Sequence, residues 1–216
     1  MQAEPLPRQF YLRDPVTVAR ALLGCLLIHK VEGQPVGGVV VETEAYLGEG
    51  DPGSHASRGR TPRNEPMWEV GGTAYVYQVY GVHYCLNAVT GPAGVAQAVL
   101  VRALEPLYGI EFMRERRGRQ TLRELASGPA RLCQALAIDL ALNRADLTAG
   151  PLFFVRQPEG GSAPGAVSPE RIVTTTRIGL PVGRGDDLPL RFYLLGNPHV
   201  SRRDREAENR LLAADE

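Results

Sequence analysis

The chain has 216 residues, 44% hydrophobic and 22% charged, with 24 basic side chains against 24 acidic ones and a formal net charge of +0. That length is enough for a full hydrophobic core in one domain or at most two, and the composition excludes a disordered chain. Zero net charge provides no overall basic field, so a nucleic-acid partner has to be met by a local patch; Lys30 is the one lysine, which leaves that patch to arginine, whose planar fork suits phosphate.

A helix opens at Asp14, with Pro15 at its first position and Val16, Ala19, Leu22 and Leu23 as the buried stripe, and closes at Gly24. Cys25 to Val31 is a continuous apolar strand, Glu32 to Gly37 has turn composition, and Gly38 to Tyr46 returns as the second strand of a hairpin. This second strand carries Glu42 and Glu44 inside an otherwise apolar run. Period-two alternation puts Val40, Glu42, Glu44 and Tyr46 on one face and Val39, Val41, Thr43 and Ala45 on the other. An unpaired buried carboxylate costs several kcal/mol, so a strand that keeps two of them presents them to a polar cleft. For an isolated Glu-x-Glu the simpler reading is a solvated strand edge, and the rest of the chain has to decide.

Leu47 to Val70 reads as a long loop rich in glycine, proline and charge, carrying His55, Arg58, Arg60 and Arg63. A loop of that length inside a domain is usually functional or disordered, and its place beside the glutamate strand favours function. Ala74 to Val79 and Val82 to Val89 form a second hairpin that turns at Tyr80-Gly81, where Gly81 provides a positive φ. Tyr77 and Tyr80 are an odd number of residues apart and fall on opposite sides of the strand, so Tyr77 can face a pocket while Tyr80 projects from the turn.

Gln97 to Leu104 is a further strand and Leu107 to Arg117 an amphipathic helix ending at Gly118. The arginines from Arg114 to Arg123 form either a solvated helix face or a phosphate contact. Ser127-Gly128-Pro129 opens another helix, with Ser127 as a plain cap and Leu132, Cys133, Leu136, Ala137 and Leu140 as its apolar face. Strands follow at Leu152 to Val155, Arg171 to Thr176 and Leu190 to Leu195; residues 1–13 and the charged stretch from Ser201 to Glu216 read as surface segments prone to fraying, outside any site. Antiparallel strands with helices outside them make an α+β domain spanning 1–216.

Cys25, Cys85 and Cys133 are odd in number and flanked by apolar residues, as reduced core thiols are, and His29, His55, His83 and His199 lack zinc-type spacing, so no metal is expected. With no apolar run of membrane-spanning length and no signal peptide, the expected location is the cytoplasm.

Taken in order, Glu42-Thr43-Glu44-Ala45-Tyr46-Leu47-Gly48, Ser54-His55, the Arg58 to Asn64 block, Tyr75-Val76-Tyr77-Gln78-Val79-Tyr80-Gly81, Cys85-Leu86-Asn87, Val101-Arg102-Ala103-Leu104-Glu105-Pro106, Ser127-Gly128-Pro129, Leu132 to Ile138 and Arg191-Phe192-Tyr193 resemble the alkyladenine (3-methyladenine) DNA glycosylase family across nearly the whole chain. The resemblance implies a single domain with a curved antiparallel sheet and a protruding hairpin, acting without cofactor or metal. It also implies a monomeric enzyme that flips alkylated or deaminated purines out of duplex DNA and hydrolyses the N-glycosidic bond, with no lyase step. By the same resemblance Glu44 is the general base, Arg102 helps to hold the attacking water, and Tyr46, His55 and Tyr77 wall the flipped base. Tyr80 fills the gap left in the duplex, Asn87 disfavours guanine, and Arg58, Arg60, Arg63, Gln78 and His83 are candidate DNA contacts.

Two other readings fit parts of the pattern. A glycoside hydrolase could use Glu42 and Glu44 as its carboxylate pair, since side chains two apart on a strand can meet the roughly 5–9.5 Å that such enzymes require. A binding module that flips bases without cutting them would have no use for Glu44 and Arg102.

Overall fold

The computed structural model describes residues 4–157 and 167–213, so the first three residues of the amino-terminal segment and the last three of the charged tail lie outside the described residues. After a single turn of helix, α1 (Arg8–Tyr11), the chain enters α2 (Pro15–Leu22). The Asp14 carboxylate caps α2 by accepting the Thr17 amide at 2.9 Å. The buried face is Pro15, Val18, Ala19 and Leu22; Val16, expected inside, is only partly covered.

Strands β1 (Leu26–Val31) and β2 (Gln34–Tyr46) form the first hairpin. Their turn is Glu32-Gly33 alone, with φ of 50° and 79°, so β2 begins four residues earlier than turn composition indicates. Gly37 and Gly38 are strand residues whose smallness is required: a Cβ at Gly37 would sit 2.0 Å from the Leu27 carbonyl oxygen and one at Gly38 2.1 Å from that of Glu105.

The second hairpin, β3 (Ala74–Val79) and β4 (His83–Val89), is followed by β5 (Ala98–Tyr108). Leu107 and Tyr108 therefore extend a strand, and helix α3 (Ile110–Arg117) starts only after Gly109, whose φ of 66° breaks the extended run. Then come α4 (Leu122–Ala126), α5 (Pro129–Ala135), β6 (Leu152–Val155), β7 (Ile172–Thr175), β8 (Arg191–Leu194) and α6 (Arg205–Ala213). Ala137 has a φ of 54° just past α5, so Ala137 and Leu140 are exposed and not part of an apolar face. Ser127 does not cap α5 either, since its hydroxyl bonds back to the Arg123 carbonyl. Arg116 and Arg117 donate to the carbonyls of Ala135 and Leu125, both at 3.1 Å, and tie α3 to the neighbouring helices.

All pairings are antiparallel in one curled sheet of order β3-β4-β5-β2-β1-β6, with β8 added to β2 and β7 to β8. One face packs on α1 to α5 through Val40, Ala45, Val99, Val101 and Leu104; the other packs Val39, Val41, Phe153 and Tyr193 against Val200 and Ala207 of the carboxy-terminal segment. The fold is α+β.

The alternation expected along β2 fails at one point. Val40 pairs with Leu104 and Glu42 with Ala103, which leaves Val41 as an extra residue; Thr43 then pairs with Val101, which leaves Arg102 extra on β5. These two compensating bulges place Val40 on the helix-covered face, opposite to Glu42, while Thr43 turns its hydroxyl to the Ala19 carbonyl of α2 at 2.9 Å. Glu42, Glu44 and Tyr46 keep a common side, and Arg102 is re-aimed toward it.

Candidate active site

The bulges gather four buried charges. Arg102 lies with Nε 3.3 Å from Glu42 Oε1 and Nη1 3.1 Å from Glu44 Oε1, and both carboxylates are fully enclosed. Arg191, on the neighbouring strand β8, donates to Glu42 Oε1 at 2.9 Å, and the Ser201 amide donates to Glu42 Oε2 at 2.7 Å. Two arginines thus balance two glutamates, as burial of charge requires. The contact from Ser201 brings the carboxy-terminal segment, expected to stay apart, up to the charged cluster. Burial by itself would lower the Arg102 pKa, yet Glu44 and Glu42 outweigh it and raise it, which keeps the guanidinium charged.

Glu44 differs from Glu42 in its neighbours: fully buried itself, it lies directly behind the wall of a cavity, because the groups it touches, Arg102, Tyr46 and Ile178, all line that cavity. Its Oε1 accepts the Ile178 amide at 2.8 Å in addition to Arg102, and its Oε2 accepts the Tyr46 hydroxyl at 2.9 Å. A carboxylate offers about four acceptor sites, so three donors leave about one for a water or a substrate atom. Burial, then the Glu44 charge, push the Tyr46 hydroxyl well above its usual pKa, so it remains a donor.

The cavity, about 350 Å³, is lined among others by Tyr46, His55, Tyr75, Tyr77, Asn87 and Arg102. This is the volume range of small-molecule sites. His55 and Tyr77 meet edge to face with centroids 4.6 Å apart, and the Tyr75 and Tyr77 rings lie 5.2 Å apart. The His55 Nδ1 and Tyr75 hydroxyl are hydrogen-bonded at 2.9 Å. Loss of water around the ring, then the charge of Arg63, lower the His55 pKa, so the imidazole is neutral at pH 7. Asn87 donates from Nδ2 to the Tyr75 carbonyl at 3.0 Å, which braces the hairpin and fixes the amide at the cavity wall.

The second hairpin ends beside the cavity mouth. Tyr80 and Gly81 both have positive φ, 51° and 72°, where Gly81 alone is expected to need it. Left-handed backbone costs a non-glycine residue about 1–2 kcal/mol, and Tyr80 is also 91% exposed. Such a residue on a braced turn, with Gln78 Nε2 on the Gly81 carbonyl at 2.6 Å, is positioned for something outside the fold.

Arg63 donates to the Gln78 carbonyl at 3.0 Å and lies 5.4 Å from the Tyr77 centroid, linking the loop to this hairpin. Arg60 pairs with Glu65 at 3.0 Å, and Arg58 and His83 are exposed; none of these three lines the cavity. Sequence reading does not single out Tyr75, Asp51, Arg177 or the Ile178 amide. Tyr75 has a usable signal, two residues before Tyr77 on the same strand face; the other three are joined to the site only by the folded chain. Among the described residues no group of three or more His, Cys, Asp or Glu is arranged to hold a metal ion, and no helix is long and apolar enough to cross a membrane.

Residues 9–198 match the family described as methylpurine-DNA glycosylase. Over 198 residues the chain is 52% identical to a Carboxydothermus hydrogenoformans protein assigned by name to the 3-methyladenine DNA glycosylases, with 92% of this chain and 99% of that one covered. A Methanoculleus marisnigri protein with the same assignment is likewise 52% identical, over 92% of this chain and 99% of its own. The mouse (Mus musculus) DNA-3-methyladenine glycosylase is 44% identical over 212 residues, which span 93% of this chain and 62% of the mouse protein. These likenesses define the class: a DNA glycosylase, which hydrolyses N-glycosyl bonds in DNA. Within that class the chain belongs to the methylpurine-DNA glycosylase family.

Proposed function

We propose that this protein is a monofunctional, monomeric glycosylase that flips alkylated and deaminated purines, such as 3-methyladenine, hypoxanthine and ethenoadenine, out of duplex DNA and hydrolyses their glycosidic bond. The observation that carries the reading is the Glu44–Arg102 pair beside an aromatic-walled cavity: Arg102 lines it, Glu44 lies buried directly behind Arg102 and Tyr46, and an exposed tyrosine stands at the rim. The flipped base stacks among Tyr46, His55 and Tyr77, with Asn87 against the edge where guanine carries its exocyclic amine. As the bond to the base lengthens, positive charge develops on the sugar, and the Glu44 carboxylate stabilises it. Water attacks the anomeric carbon, its proton passes to Glu44, and Arg102 holds the carboxylate in place. A cationic base such as 3-methyladenine departs as a neutral molecule and needs little further help.

Glu42 has no part in proton transfer. It is fully buried, and two of its three partners, Arg191 and Ser201, stand away from the cavity lining, so it has no path to a substrate there, which disfavours a glycoside hydrolase using two carboxylates. A panel of duplexes, each with one lesion, tests the proposal: release of free purine bases is expected, and a chain that binds them all but releases none would refute it.

Tyr80→Ala is expected to slow single-turnover excision by a factor set by about 1–3 kcal/mol, the usual worth of base–aromatic stacking. The loss should be smaller for mismatched lesions, which need less energy to extrude. Equal losses on paired and mismatched lesions would make Tyr80 a structural residue only.

A lyase step requires an amine that forms a Schiff base with the sugar. Lys30 is exposed, lies against the Phe153 ring at 5.4 Å and pairs with Pro35 at the far end of β2. Glu44 lies nine positions beyond Pro35, on the order of 30 Å of strand at about 3.3 Å per residue. Borohydride is therefore expected to trap no covalent complex on lesion DNA, and strands to break only after alkali. An adduct that vanishes in Lys30→Ala would overturn this.

A further inference from the structure

A buried ion pair that the reaction above does not use stands against the cavity wall. Arg177 and Asp51, both fully enclosed, meet through two parallel contacts, Nη1 to Oδ2 at 2.5 Å and Nη2 to Oδ1 at 2.6 Å. The guanidinium also donates to the carbonyls of Ala45 at 3.1 Å and Gly185 at 3.2 Å, while Asp51 accepts the amides of Leu47 at 3.1 Å and Gly53 at 2.9 Å. Gly53 makes room for it, because a Cβ there would lie 2.7 Å from Arg177 Nη2. The guanidinium carbon stands 4.7 Å from the centroid of the Tyr46 ring, and that ring lines the cavity.

A cation against an aromatic ring draws on the negative charge of its face. The same charge attracts a cationic guest to the ring. Alkylation of adenine at N3 leaves a base with a formal positive charge while it is still joined to the sugar, whereas hypoxanthine is neutral. An arginine alone beside Tyr46 would repel the first and leave the second nearly untouched. Asp51, joined to the guanidinium through both oxygens, removes that bias.

We infer that the Asp51–Arg177 pair sets the charge preference of the base site, keeping the Tyr46 ring open to cationic as well as neutral purines. The inference rests on the reading of Tyr46 as a stacking wall. Removing either charge should tilt the preference, and in opposite directions. Asp51→Asn leaves the guanidinium uncompensated and disfavours the cationic base; Arg177→Gln leaves the carboxylate and favours it.

The experiment measures single-turnover release of 3-methyladenine and of hypoxanthine by the full chain and by each variant. For Asp51→Asn the ratio of the two rates is expected to fall about three- to tenfold, and for Arg177→Gln to rise by a similar factor. The double variant Asp51→Asn/Arg177→Gln restores neutrality and should return the ratio to within about twofold of the parent. It also keeps the readout available if a single variant does not fold, because replacing both members of a buried pair is far better tolerated than removing one. Rates that fall together with an unmoved ratio, or a double variant whose ratio stays displaced, would overturn the inference and make the pair purely structural. A parent chain that releases neither base would instead refute the glycosylase reading itself.

Discussion

Glu44→Gln is expected to bind a lesion-bearing duplex as tightly as the parent and to release its base about 10²–10⁴ times more slowly, the usual worth of a positioned general base. The substitution is nearly silent in shape. Its amide oxygen can still accept from Arg102 and Ile178, as Oε1 does at 3.1 and 2.8 Å, while its NH2 group donates to the Tyr46 hydroxyl in place of accepting from it. What disappears is the negative charge beside the sugar and the acceptor for the proton of water. Single-turnover rates measured together with gel-shift affinity separate the chemical step from binding. Excision within tenfold of the parent would remove Glu44 from the role of base, and a matching loss of affinity would show that the variant had disturbed the pocket.

Arg102→Met is expected to cost both activity and stability. The methionine fills much of the same volume but leaves Glu42 and Glu44 with Arg191 as their one remaining charged partner, where the parent has two. Breaking a buried pair in this way typically destabilises by about 3–5 kcal/mol, which for an m-value of about 2–3 kcal/mol/M lowers the urea midpoint by roughly 1–2.5 M. Adding Glu42→Gln to Arg102→Met removes the surplus carboxylate and should recover part of that loss, a coupling that a double-mutant cycle reads directly. Activity should not recover, because Glu44 still lacks the group that holds it. A single variant as stable as the parent would mean that Arg102 is not needed to balance the two carboxylates in the folded protein.

Several parts of this fold are written locally. Asp14-Pro15 marks the start of α2 because a cap and a preset φ act within one turn, and Tyr80-Gly81 marks the tip of the second hairpin because glycine there permits a tight turn. Boundaries slipped where the chain needed less than its composition offered. Two residues, Glu32 and Gly33, turn the first hairpin, so the glycines that follow belong to a strand, where they allow close backbone contacts. A single left-handed residue at Gly109 or Ala137 ended a strand or a helix that periodicity would have placed differently.

The candidate site divides in the same way. Glu42, Glu44 and Tyr46 share a side because they are two residues apart on one strand, and that spacing is visible before any folding. Which glutamate stands next to the cavity is not visible, since it depends on partners far along the chain: Ser201 and Arg191, away from the cavity, hold Glu42, and Ile178, which lines it, holds Glu44. Val40 left the glutamate face because β5 pairs with β2 through two bulges, and a bulge is a property of two strands, absent from either one alone. Asp51 and Arg177 stand 126 positions apart, and neither residue type carries a local pattern that announces the other. Period and turn chemistry act over a few residues and can be read from the chain; burial of charge is satisfied across the whole molecule, so its partners emerge only when the strands are assembled.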